Sequence, residues 1–268
     1  MYPRLLTTPL FTIHTFGALL ALAYAAAYWW LMRDGRRHGL NADALGELAF
    51  WAITGAIVGA KALLLLREPP ASLADVFSRS TLTSAGDFYG GFLGALAACA
   101  VFFRRDRRLD FWRASDLCAP AIALGQAIGR IGCFMAGDDY GRAANVAWAV
   151  TFTDPEAAAI GGVPLGVPLH PVQLYESIVC FALFLLLLRL RRRWRRPGDT
   201  ILAYTIGYAM ARFMLEFFRG DMDRGFVFDG WLSTSQFIAL ALMAVVIMIW
   251  AFRPGVAAPR TEQKPRLT

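Results

Sequence analysis

Residues 233–252, STSQFIALALMAVVIMIWAF, form a run of 20 residues without one charged side chain. Coiled as a helix at 1.5 Å per residue, such a run is about 30 Å long, the thickness of a bilayer's hydrocarbon core. Toward the N-terminus the same kind of segment recurs at 11–31, 44–66, 88–103, 114–136, 171–190 and 200–218. The whole chain follows suit: 268 residues, 57% of them hydrophobic, with a mean hydropathy of +0.46, well beyond a soluble domain. The expected fold class is all-α, a polytopic integral membrane protein with about seven transmembrane helices. Residues 1–253 form a single transmembrane helical domain, and 254–268 a polar, disordered cytoplasmic tail. The segment 88–103 is short and Gly-rich, which suits a tilted or tightly packed helix.

The basic residues set the expected orientation. Of the 27 lysines and arginines, 18 fall on alternate loops: Arg33 to Arg37, Arg104 to Arg113, Arg189 to Arg196, and Arg253 onward. The opposite loops carry six, and Lys61, Arg130 and Arg212 lie inside spans. The positive-inside bias therefore predicts an outside N-terminus and a cytoplasmic C-terminus. Arg4 before an apolar run resembles a signal peptide, but the apolar stretch continues to Met32 and the stronger positive cluster follows it, so a retained first helix is expected. The net charge of +7 sits mostly in short cytoplasmic loops, where topology and anionic headgroups explain it, so nucleic acid is excluded as a partner.

Cys99, Cys118, Cys133 and Cys180 fall singly, and His14, His38 and His170 are scattered, so neither a disulfide framework nor a metal site is expected. Other polar residues converge. In the expected topology His14, Asp87, Tyr89, Arg130, Asp138, Asp139, His170, Gln173, Glu176, Arg212, Glu216 and Arg219 all fall in the outer half of the membrane. Arg212, Glu216 and Arg219 stand at i, i+4 and i+7, and His170, Gln173 and Ser177 at i, i+3 and i+7, giving each helix one polar stripe. Taken singly, Arg212 with Glu216 also fits an intrahelical ion pair, Arg219 and Arg142 fit rim arginines reaching headgroups, and His170 with Pro171 fits a helix start. Arg130 differs, because no acid lies at helical spacing within its own span. It requires a partner from elsewhere, and a guanidinium at such depth marks a site for an anionic ligand. Gly125, Gly129 and Gly132, like Gly90, Gly91 and Gly94, form smooth faces that tight helix packing explains equally well.

The stretch GRIGCFMAGDDYGR (129–142) resembles the GRxGNFxNGExxG signature of the prolipoprotein diacylglyceryl transferase family. Ile13-His14, YGGFLGA (89–95), HPVQLYES (170–177) and RFMLEFFRGD (212–221) accompany it in the family's order. The resemblance implies a seven-helix transferase of the bacterial plasma membrane with its site open to the outer leaflet. It would move the diacylglyceryl group of phosphatidylglycerol to the lipobox cysteine of a preprolipoprotein signal peptide and release glycerol phosphate, with no cofactor. Carried onto this chain, it implies Arg130, Arg212, Tyr89, Asp138 and His170 as catalytic, and Arg130, Arg212, Glu216, Gly141, Tyr208, Gln173 and His14 as substrate-binding. The chemistry agrees, since displacing phosphate by sulfur requires cations on the leaving group, which planar guanidiniums contact bidentately. Four positions depart from the family: Tyr89 for its His, Cys133 for its Asn, Asp138 for a longer acid, and Phe16 for a Tyr. The general base is thus left open among Tyr89, His170 and a carboxylate. A non-catalytic or transport protein that binds anionic lipid with the same arginines, or a paralogue with another acceptor, stays open beside the transferase.

Overall fold

A computed structural model describes residues 3–7, 12–69, 72, 76, 86–193, 196–221 and 225–253. The expected tail at 254–268 and most of the loop at 67–87 lie outside the described residues. In chain order the elements are β1 (Arg4–Thr7), β2 (Thr12–His14), α1 (Thr15–Arg37), α2 (Ala42–Arg67), α3 (Phe88–Arg105) and α4 (Phe111–Ala136). They continue as β3 (Val150–Thr151), α5 (Pro155–Gly161), β4 (Pro168–Leu169), α6 (Val172–Leu190) and α7 (Asp199–Leu215). A 3-10 turn (Glu216–Phe218), β5 (Phe226–Val227), β6 (Leu232–Ser233) and α8 (Thr234–Phe252) complete the order.

The chain is a polytopic helical membrane protein. By length and composition α1, α2, α4, α6, α7 with its 3-10 extension, and α8 are long and apolar enough to cross a membrane. The remaining expected segment forms α3, 18 residues ending on Arg104 and Arg105. One boundary differs from the sequence reading. The first helix begins at Thr15 instead of residue 11, because Thr12–His14 pairs antiparallel with Arg4–Thr7. Hydrophobicity alone does not distinguish that β-branched Thr-Ile pair from the start of a helix.

The described contacts divide the chain into two compact units, Tyr28–Ala114 and Met1–Ala27 with Ser115–Thr268. In the first, Asp87 caps α3 by accepting the amides of Tyr89 (2.8 Å) and Gly90 (3.2 Å), and it also takes the Arg67 guanidinium at 2.6 Å. The end of α2 is thereby tied to the start of α3. Along the two helices Gly55 and Gly59 meet Gly90 and Gly94: a methyl group on Gly94 would overlap the Gly55 carbonyl and come within 2.9 Å of Gly59 Cα. Backbone-to-backbone approach of this kind is what small residues permit in a membrane. Gly94→Val is accordingly expected to cost about 1–3 kcal/mol by overpacking, read as a lower thermal midpoint of the detergent-purified protein.

In the second unit α4 organises the packing. Its Asp116 carboxylate accepts the amides of Gly198 (2.5 Å), Thr200 (3.0 Å) and Ile201 (3.0 Å), satisfying the open N-terminus of α7 from a neighbouring helix. Gly125 and Gly132 lie against Ala27 and Phe16 of α1, as expected of a small-residue face. Between α4 and α6 the excursion 137–170 builds a small core of its own from Phe152, Ala157, Val163 and Leu169, with Phe134 and Tyr140 packed on it.

Candidate functional site

Arg130 lies on the last two turns of α4, and its partners come from elsewhere in the fold. Its Nε lies 3.1 Å from Glu176 on α6, and its Nη1 donates to Asp139 at 2.5 Å. Glu176, only 2% exposed, also accepts the Tyr208 hydroxyl of α7 at 2.9 Å. Three helices therefore meet on one guanidinium–carboxylate pair. A buried ion pair is tenable only where its remaining polar atoms are satisfied, and Tyr208 supplies that partner.

The loop after α4 presents two neighbouring aspartates in different ways. Gly137 (φ 77°) and Asp139 (φ 55°) both adopt left-handed backbone, the second being one of few non-glycine residues to do so. Asp139 then spans two arginines, Arg130 through Oδ2 and Arg219 through Oδ1, each at 2.5 Å. Burial opposes its charge, but Arg130 and Arg219 outweigh that and hold the carboxyl down at about 2, so it stays ionised throughout the neutral range. Asp138 takes the Asp139 amide at 2.9 Å, and its backbone carbonyl accepts the Gln173 side chain at 2.7 Å. Burial first, and then the charge of Asp139, push the Asp138 carboxyl above the usual carboxylate range.

Arg219 is no rim arginine. Its side chain is 5% exposed and grips Asp221 through Nε and Nη2 at 2.8 and 2.5 Å. Its backbone pairs with Gly141, while Arg142 donates to the Phe218 carbonyl and His170 to the Arg142 carbonyl. The segments at 140–142, 168–170 and 218–220 thus lie side by side, with Gly141 between the other two. On α7 Arg212 pairs with Glu216 at 2.7 Å and reaches Ser235 of α8 at 3.3 Å, the one-turn partnership that the i, i+4 spacing predicts.

The sequence-derived residues thus separate into sets. Arg130, Tyr208, Gln173 and the Asp138 loop are brought together, and Gly141 pairs with the backbone of Arg219. His170 stands in an aromatic group: its Nδ1 is 3.2 Å from the Tyr175 hydroxyl, which accepts the Trp148 indole at 2.6 Å, and its ring packs on Phe218. His14 lies on β2, half exposed and 3.9 Å from Glu156 of α5, which also binds Arg4. Tyr89 opens α3 in the other compact unit. Glu176 and Asp139 carry the pairing of Arg130; both stand among the converging polar residues, but neither among those expected to be catalytic or substrate-binding. For Glu176 the available signal was an acid in the outer half of a span with no basic residue at helical spacing in its own helix. Cys133 Sγ lies 3.9 Å from Arg130 Nη1, and with the Asp138 and Asp139 oxygens it forms a cluster within 4.8 Å. Two guanidiniums already neutralise Asp139 there, so the cluster is accounted for as part of the arginine network.

Comparison with known proteins bears on this geometry. Residues 3–252 match the family model described as prolipoprotein diacylglyceryl transferase. The chain is 33% identical over 240 residues to the phosphatidylglycerol–prolipoprotein diacylglyceryl transferase of Clostridium tetani, covering 90% of this chain and 92% of that protein. It is 32% identical to the counterpart in Solidesulfovibrio magneticus, covering 89% of each. To the Clostridium perfringens protein with the same name and the suffix 2 it is also 32% identical, covering 94% and 95%.

Proposed function

We propose that this chain, which belongs to the prolipoprotein diacylglyceryl transferase family, transfers the diacylglyceryl group of phosphatidylglycerol to a prolipoprotein cysteine. The thiolate attacks the glyceryl carbon, the carbon–oxygen bond to phosphate breaks, and a thioether and glycerol phosphate result. The observation that carries the reading is Arg130: a guanidinium among apolar helices, held in place by Glu176 and Asp139. Such a donor, preorganised in a site of low dielectric, is suited to the charge that develops on a departing phosphate. Arg212, held by Glu216, is the second phosphate contact. Gln173 offers a buried Oε1 without a hydrogen-bond partner among the described residues, an acceptor for a headgroup hydroxyl. Asp138 lies in the same loop with a carboxyl less acidic than usual, and it takes the proton of the lipobox thiol, whose own pKa is about 8.5. His170 and His14, whose described partners lie outside the Arg130 network, have positioning rather than proton-transfer roles in this reading.

The protein lies in the bacterial plasma membrane with its N-terminus outside, and the site opens to the outer leaflet. The support is the 18-to-6 division of basic residues between the two sets of loops.

The test is product formation by the purified protein in phosphatidylglycerol micelles with a lipobox peptide. A peptide mass increased by one diacylglyceryl group, with an equal amount of glycerol phosphate, is the expected result. Phosphatidylglycerol binding without either product would replace the transferase with a lipid-binding protein.

A further inference from the structure

We infer that Asp139 is a positioning residue for the transfer reaction, its carboxylate bracing Arg130 against Arg219 so that the Arg130 guanidinium keeps one orientation. The inference rests on the function proposed above. A guanidinium is a rigid plane, so fixing two of its nitrogens fixes the third. Glu176 holds Nε from α6 and Asp139 holds Nη1 from the loop after α4, which fixes the orientation of the plane. Without Asp139 the plane can pivot about the remaining Nε contact.

The brace has a firm far end. Arg219 is clamped by Asp221 through two nitrogens, its side chain is 5% exposed, and its backbone pairs with Gly141. Asp139 therefore transmits the position of the 218–220 segment to Arg130. Its left-handed backbone, φ 55°, follows Gly137 at φ 77° and directs the side chain to the arginines, while the side chain of Asp138 accepts the next amide of the loop. Aspartate and asparagine both tolerate this conformation, so Asp139→Asn removes the charge and keeps the loop.

The experiment measures thioether formation and thermal midpoint for the full-length protein, with Asp139→Asn, Asp139→Glu, Arg219→Gln and the Asp139→Asn/Arg219→Gln pair compared with wild type. Asp139→Asn is expected to lower kcat about 30- to 100-fold, the scale of misaligning a positioned group by roughly 1 Å. KM for phosphatidylglycerol should change less than about threefold, since a positioning loss falls on the transition state. Asp139→Glu should recover part of the rate. The double variant should fall no further than the worse single one, because both changes remove the same brace. Asp139→Asn within twofold of wild type, an effect on KM alone, single losses that multiply in the pair, or a fall in thermal midpoint that accounts for the lost rate would each overturn the inference. Absence of thioether from the wild type would instead overturn the proposed function.

Discussion

Arg130→Lys is expected to lower diacylglyceryl transfer by at least about a hundredfold, comparable to removing a donor from a preorganised anion site. Arg130 is held from two directions at once, by Glu176 at Nε and by Asp139 at Nη1, while it meets the phosphate in the proposed reaction. An ammonium is a point charge on a flexible stem and cannot hold this planar arrangement. It would also leave Glu176, 2% exposed, with a weaker partner, where breaking a buried pair outright costs about 3–5 kcal/mol. The same substitution at Arg142 is expected to cost less than about fivefold, because that guanidinium rests 5.8 Å above the Phe218 ring and such a contact contributes only about 0.5–2 kcal/mol. Glycerol phosphate release by the two purified variants, each corrected for the folded fraction, separates them. Equal rates for Arg130→Lys and wild type would remove the phosphate role from Arg130.

The sequence exposed the demand for this pairing more clearly than the partners that meet it. Arg130 has no acid at helical spacing in its own span, which sends its charge to another element. Which element depends on how α6 is rotated against α4, and that rotation is set by packing. The polar stripe on α6 was read through Gln173 and Ser177, and both do face α4 or the loop after it: Gln173 bonds the Asp138 carbonyl and Ser177 the Ala127 carbonyl. Glu176 lies on the same side and goes further, reaching the guanidinium itself. That Asp139 is the acid meeting both arginines was hidden for a local reason. Motif spacing counts residues along the chain, whereas a left-handed residue redirects its side chain. The Arg212–Glu216 pair was legible because its geometry is intrinsic to one helix. The helix-forming segments were legible too, since a bilayer accepts few structures and apolar length reports them. The β1–β2 hairpin and the core around Phe152 were less so, being built from short segments whose order comes from pairing with distant residues.

Gly141→Ala is expected to abolish most activity and to destabilise the second unit, although it adds a single methyl group. That methyl would overlap the His170 carbonyl and approach Val172 Cγ2 and His170 Cβ at 2.7 and 2.8 Å. The carbonyl belongs to a segment tied down by the His170-to-Arg142 backbone bond, and Val172 is 1% exposed, so neither has room to withdraw. Gly220 closes the other side: its own added methyl would sit 2.7 Å from Arg142 N and Gly141 C. Relief therefore has to come from separating 140–142 from its neighbours, which breaks the Arg142–Phe218 and Gly220–Tyr140 bonds and moves Arg219 away from Asp139. Overpacking of this kind costs about 1–3 kcal/mol in stability. Displacing the arginine network by roughly 1 Å adds a further rate loss of about a hundredfold. Gly129→Ala, on the same helix as Arg130, meets nothing within 4 Å and should leave the thermal midpoint unchanged. A Gly141→Ala protein with wild-type midpoint and rate would show that the 140–142 segment can shift without carrying Arg219 with it, and the link between the extramembrane segments and the Arg130 pair would then be broken.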